Sequence, residues 1–140
     1  MSELKAAIED KPSKREHPTA RQLDAHNVLI GNSVAAHIVP RASYFEAFHR
    51  AKSSQNFVLR LLGVVYSPQE LARSSFYGGT NTYRGTRTTK EPLYTKIAFR
   101  AILVQAQIDF PGFYQTEKSQ TDLRDAVNTK CRRAFFGLKK

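Results

Sequence analysis

Five residues near the end of the chain, Arg124, Asn128, Lys130, Arg132 and Arg133, are of types that hold nucleic acid. A guanidinium is a planar fork of donors for phosphate or the O6/N7 edge of guanine, an ammonium is a point charge for phosphate, and an asparagine amide can pair with adenine N6/N7. At 100° per residue, Asp125, Asn128, Thr129, Arg132 and Arg133 share one side of a helix, with Arg124 and Lys130 on its flanks. The opposite arc gathers Leu123, Val127, Cys131, Ala134 and Leu138, and this is the face that must pack on the rest of the domain. Such a helix suits the major groove, and it equally suits a solvated face with ordinary charges.

A second basic group, Arg84, Arg87 and Lys90, lies in the segment 78–90, rich in glycine and threonine and without apolar periodicity. It reads as a flexible loop that can reach phosphate or a narrow minor groove. Catalytic patterns do not emerge: there is no G-x-S-x-G, no P-loop and no G-x-G-x-x-G, so no enzyme activity is expected. His17, His26, His37 and His49 lack the i, i+4 spacing of helical metal ligands, and the single cysteine excludes multi-cysteine zinc motifs, so neither metal nor cofactor is expected. Cys131 sits between basic residues that would lower a thiol's pKa if it were exposed, but its place on the apolar arc predicts a buried, unreactive group.

The elements that position these residues follow from patterning. Residues 1–26 are polar and mixed in charge and read as a flexible arm, leaving 27–140 as one domain. Gly31-Asn32 between two apolar runs predicts a short hairpin over 28–39. A first helix is expected from a capping box at Ser43 and Glu46, and a second after Ser54, carrying Phe57, Val58, Leu61, Leu62 and Val65. A third is expected behind Ser67-Pro68 with Glu70 at its third position. A fourth should run from near Pro92 to Asp109 with Leu93, Ile97, Ala101, Val104 and Ile108 inward, and a fifth from Thr121 to about Phe136. The expected fold is an all-α-dominated bundle of about five helices with a short N-terminal β-hairpin.

Charge narrows the partner. The chain of 140 residues has a formal net charge of +10, distributed as zero over residues 1–20, +3 over 21–83 and +7 over 84–140. A basic C-terminal part favours a polyanion through local concentration and counterion release, with an anionic lipid surface second. No run nears the roughly 18 apolar residues of a membrane helix, and the first residues lack the apolar centre of a signal peptide. A chain without a membrane segment, acting inside the cell, is expected.

Several separated blocks occur in the order found in the BEN-domain family: IGNSV, FVLRLLGVVYS, PQELARSS with Gly78, FPGF and the terminal VNTKCRRA. Over about residues 28–139 the chain resembles that family. The resemblance implies a mainly helical domain that places its final helix in the major groove of double-stranded DNA with a nearby loop, in transcriptional repression or chromatin organisation in a nucleus. The family's terminal signature falls on Asn128, Lys130, Cys131 and Arg132, of which the helical wheel independently selects Asn128 and Arg132. A chain with little besides the domain is similar to the stand-alone versions of polydnaviruses and other large DNA viruses, which implies a host nucleus and a corepressor that binds the domain itself. Two other functions fit the residues: a protein-interaction module or homodimer anchored by Phe135 and Phe136, and nonspecific nucleic-acid binding from charge alone.

Overall fold

The structure, a computed structural model, describes residues 14–138 except Arg84. Among the described residues five helices combine with two three-stranded sheets, so the fold is mixed α/β, which corrects the expectation of an all-α-dominated bundle. The helices are α1 (Arg41–Arg50), α2 (Ser54–Val65), α3 (Pro68–Ala72), α4 (Ile97–Asp109) and α5 (Glu117–Leu138). Strands β1 (Arg21–Gln22), β2 (Asn27–Gly31) and β3 (Ala36–Pro40) form one antiparallel sheet. Strands β4 (Ser74–Ser75), β5 (Gly79–Tyr83) and β6 (Thr86–Pro92) form the other, with β6 central, parallel to β4 and antiparallel to β5.

The expected hairpin over 28–39 is present as β2 and β3, with Val28 opposite Val39 and Ile30 opposite His37. Gly31 makes the turn possible. Its φ is +97°, and a Cβ there would fall 2.0 Å from the Ala35 carbonyl oxygen, so no other residue fits. Asn32 completes the turn by accepting from the amides of Val34 and Ala35. The 78–90 segment, expected as a loop, is instead the β5–β6 hairpin and the main source of the added sheet. Thr80 and Thr89, facing each other across it, are both exposed, and its threonines and glycines leave no apolar alternation to detect.

Helix starts follow the chain's capping groups with four departures. The Ser67 hydroxyl and Glu70 carboxylate exchange bonds with each other's backbone as a complete capping box at α3. Helix α1, however, begins at Arg41 without any side-chain cap, so the Ser43–Glu46 box does not form, and Ser53 rather than Ser54 caps α2. Helix α5 begins one turn before Thr121, where Thr116 and Ser119 bond reciprocally to each other's amides. Pro92 ends β6 instead of opening α4.

The core is one cluster in which α2 contributes Phe57, Val58, Leu61 and Leu62, all fully buried, between α1, α4 and α5. Phe57 lies 5.2 Å from Phe110 and 6.2 Å from Phe48, ring centre to ring centre. Helix α4 is rotated from the expected stripe: Ile97 and Ile108 reach solvent while Gln105 and Asp109 are buried. The Asp109 carboxylate accepts from the Thr19 amide (3.0 Å) and hydroxyl (2.7 Å), the Tyr44 hydroxyl (2.5 Å) and the Gln105 amide (3.1 Å). Arg15 bonds to the carbonyls of Ile108 and Asp109, so the described part of the stretch read as an arm, from residue 14, is tied to the end of α4.

Removing a buried acceptor leaves its donors unsatisfied at about 1 to 3 kcal/mol each. Asp109→Ala is therefore expected to destabilise the fold by at least about 3 kcal/mol and Tyr44→Phe by about 1 to 3 kcal/mol, measured by urea unfolding. Equal stability of either variant with the parent would show that the network contributes nothing net.

Candidate nucleic-acid interface

Helix α5 rests on the domain through Leu123, Val127 and Cys131, all buried, with Ala134 half-buried at the edge. That is the arc expected from the wheel, apart from Leu138, whose side chain lies outside the described residues. One flank of the helix faces the second sheet. There the Asn128 side-chain oxygen accepts from the Phe76 amide at 2.8 Å, and the Lys90 ammonium sits 4.2 Å from the centre of the Phe135 ring. The other flank, with Ala126, Thr129, Lys130 and Arg133, faces α2 and α3 across an open groove of about 670 Å³.

The sequence-selected residues thus divide into three groups. Arg132 and Arg133 are exposed near the end of α5, Arg132 donating to the Thr129 hydroxyl at 3.4 Å, and Lys130 is half-buried beside them. Asn128 and Lys90 are engaged in the fold: Lys90 also donates to the Ala72 carbonyl at 2.6 Å, and burial pulls its pKa down. Arg124 belongs to the other half of the helix, 3.5 Å from Asp125. Arg87 is exposed on β6, and Arg84 lies outside the described residues.

Charge along α5 is graded. Glu117, Asp122 and Asp125 occupy the first two thirds, where Lys118 pairs with Asp122 at 2.9 Å, whereas residues 130–138 contain no carboxylate. Glu117 in the first turn suits the positive end of the helix dipole, whereas no basic residue lies in the described last turn, so the dipole does not account for Lys130, Arg132 and Arg133. One arginine missed by the sequence reading extends the basic surface, Arg60 on α2, held by Asn56 at 2.9 Å; Arg73, at the end of α3, is exposed, and its carbonyl accepts from the Glu91 amide. Neither has a local motif that marks it. Only the packing of α2 against α5 places Arg60 at the groove.

Gly63, in the last turn of α2, opens onto the groove. A Cβ there would meet only the flexible end of Lys130 at 3.6 Å, so packing does not demand glycine, which costs up to about 1 kcal/mol against alanine in a helix. Tyr66 closes the groove's base, with its hydroxyl against the Phe99 amide in the uncapped first turn of α4 and its pKa pushed up to about 12, chiefly by burial. Burial also raises the Cys131 thiol from an ordinary 9.0 to about 11, against the opposing pull of Lys90 and Lys130. Among the described residues no group of three or more His, Cys, Asp or Glu could hold a metal, and no helix is long and apolar enough to cross a membrane. No protein-family model, curated protein or solved structure matches the chain.

Two outcomes follow from this geometry. Asn128→Ala should cost about 1 to 3 kcal/mol of stability because the Phe76 amide loses its acceptor, while Asn128→Asp, which keeps an acceptor, should melt near the parent temperature. Unchanged melting of the alanine variant would return Asn128 to the surface. For Cys131 the unfolded chain gives up the thiol proton first, so its contribution is intact below about pH 9 and is lost as pH rises towards 11. Denaturant midpoints measured from pH 7 to 10.5 should fall above pH 9 in the parent and less steeply in Cys131→Ala.

Proposed function

We propose that this chain is a DNA-binding module, of the kind that its resemblance to BEN domains implies, acting in transcriptional repression or chromatin organisation in a nucleus and without catalysis of its own. The observation that carries the reading is the carboxylate-free end of α5, where Lys130, Arg132 and Arg133 stand together with Arg60 across the groove. Arg87 is an exposed cation of the adjoining hairpin, on the face of β6 opposite to Lys90. Such a surface gains affinity by displacing condensed counterions, and a helix end flanked by a β-hairpin is narrow enough to enter a major groove.

The geometry favours a particular division of labour. Asp122 and Asp125 repel phosphate, so contact belongs to the last third of α5 and not to its whole length. Bidentate reading of adenine by Asn128 would take its oxygen from the Phe76 amide, so base contacts fall to Arg132 and Arg133, and Asn128 positions the helix that carries them. Backbone grip then supplies most of the affinity, with sequence preference resting on a few guanidinium contacts.

The test is fluorescence anisotropy with a duplex selected from a random library and with a scrambled duplex, across a salt series. Four cations, Arg87, Lys130, Arg132 and Arg133, predict a slope of log K against log salt of about −3 to −4. Arg132→Ala should weaken the selected duplex by about 1 to 3 kcal/mol and the scrambled duplex less, whereas Arg87→Ala should weaken both alike and flatten the slope by about 1. Binding of neither duplex at low salt would remove the function, and equal losses on both for Arg132→Ala would make it a nonspecific binder.

A further inference from the structure

The groove between α2, α3 and α5 has a composition that a nucleic-acid surface does not need. Leu59, Leu71 and Ala134 supply apolar surface, while every charged side chain that lines it, Arg60, Lys130 and Arg133, is cationic. We propose that this groove docks an acidic amphipathic segment of a partner protein, with apolar side chains on the floor and carboxylates against Arg60, Lys130 and Arg133. A helix or turn with leucines at i, i+3 or i+4 and i+7 has the matching pattern, apolar on one side and acidic on its margins. Duplex DNA is a weaker match to the floor, because its outer surface is a convex polyanion that leaves apolar walls unfilled.

Gly63 is the second, independent sign. Its φ lies in the ordinary helical range and space exists for a side chain, so the fold does not require glycine there. What glycine does provide is depth beside Leu59, since any larger residue would project over the floor. Side-chain room that the helix leaves empty, ringed by like charges, is the shape of a receptor for an oppositely charged apolar ligand. The site shares Lys130 and Arg133 with the proposed duplex contacts, whereas Gly63 lines the groove alone and Arg87 and Arg132 lie outside it, so Gly63 is the position at which the two ligands can be told apart.

The experiment uses the full chain and a fluorescein-labelled peptide of about 14 residues with leucines at the helical spacing above and glutamates on the flanking positions. Gly63→Met fills the floor without disturbing helix geometry, so its melting temperature should equal or exceed the parent's. Its peptide affinity is expected to fall by about tenfold or more, with selected-duplex affinity unchanged within about twofold. Arg60→Glu should lose the glutamate peptide to a similar degree and gain one in which the flanking glutamates are lysines. The proposal is overturned if Gly63→Met binds the peptide as the parent does, or if a peptide with serine in place of leucine binds equally well. It is also overturned if Gly63→Met loses the duplex in parallel, which would assign the groove to nucleic acid, or loses only self-association in light scattering, which would assign it to a second copy.

Discussion

The Asp109 carboxylate has no exposed surface and is held by hydrogen bonds from Thr19, Tyr44 and Gln105. Taking a carboxylate out of water costs several kcal/mol unless its lone pairs are satisfied, so every element that supplies a donor is constrained in position. Tyr44 does so from α1 while its oxygen accepts from the amides of Thr19 and Ala20, which fixes the N-terminal segment. Gln105 donates to Asp109 and accepts from the Gly31 amide, which fixes the first sheet on α4. The Tyr44 hydroxyl, buried beside the carboxylate, has its pKa raised well beyond the ordinary range. Around this one group the first sheet, α1 and α4 share a single arrangement, and α2 packs into the frame that they make.

Helix α5 is the element through which that frame reaches the candidate interface. Its buried arc binds it to the core, its second-sheet flank is fastened by Asn128 and Phe135, and its groove flank is left open. Three sequence blocks fall largely on elements that pack together: FVLRLLGVVYS on α2, PQELARSS through α3 to β4, and VNTKCRRA on α5. Within the last block Asn128 and Cys131 are explained by packing, and Lys130, Arg132 and Arg133 by charge. A short motif on a helix that both supports the fold and meets a ligand must mix the two kinds of residue.

What the chain disclosed by inspection, and what it concealed, follow from where side-chain pattern reflects burial. The arc of α5 from Leu123 to Ala134 and the apolar face of α2 repeat at helical period, the capping box at Ser67 is local, and each stands in the structure as the sequence predicts. The rotation of α4 was hidden because its inward face carries Gln105 and Asp109, which hydrophobic periodicity assigns to solvent, while Ile97 and Ile108 look outward. The β5–β6 hairpin was hidden because threonine and glycine form it without apolar alternation. At the candidate interface, residue types pointed to Arg132 and Arg133, but the engagement of Asn128 and Lys90, and the approach of Arg60, depend on contacts between residues distant in sequence. Helical wheels carry no information about those.

The bond between Thr19 and Asp109 joins residues 90 positions apart. On a ribosome the chain grows at about 5 to 20 residues per second, so Thr19 waits roughly 5 to 20 seconds before its acceptor exists. During that interval Tyr44 is already made, but Gln105 and the carboxylate that organise it are not. The amphipathic helices α1 to α3 can form and associate early, because their contacts are short in sequence, whereas the first sheet has no helix α4 to cover it. Thr19 is therefore secured late, and a nascent chain halted before residue 109 presents an uncovered β2–β3 hairpin, the kind of surface that chaperones and aggregating neighbours both recognise.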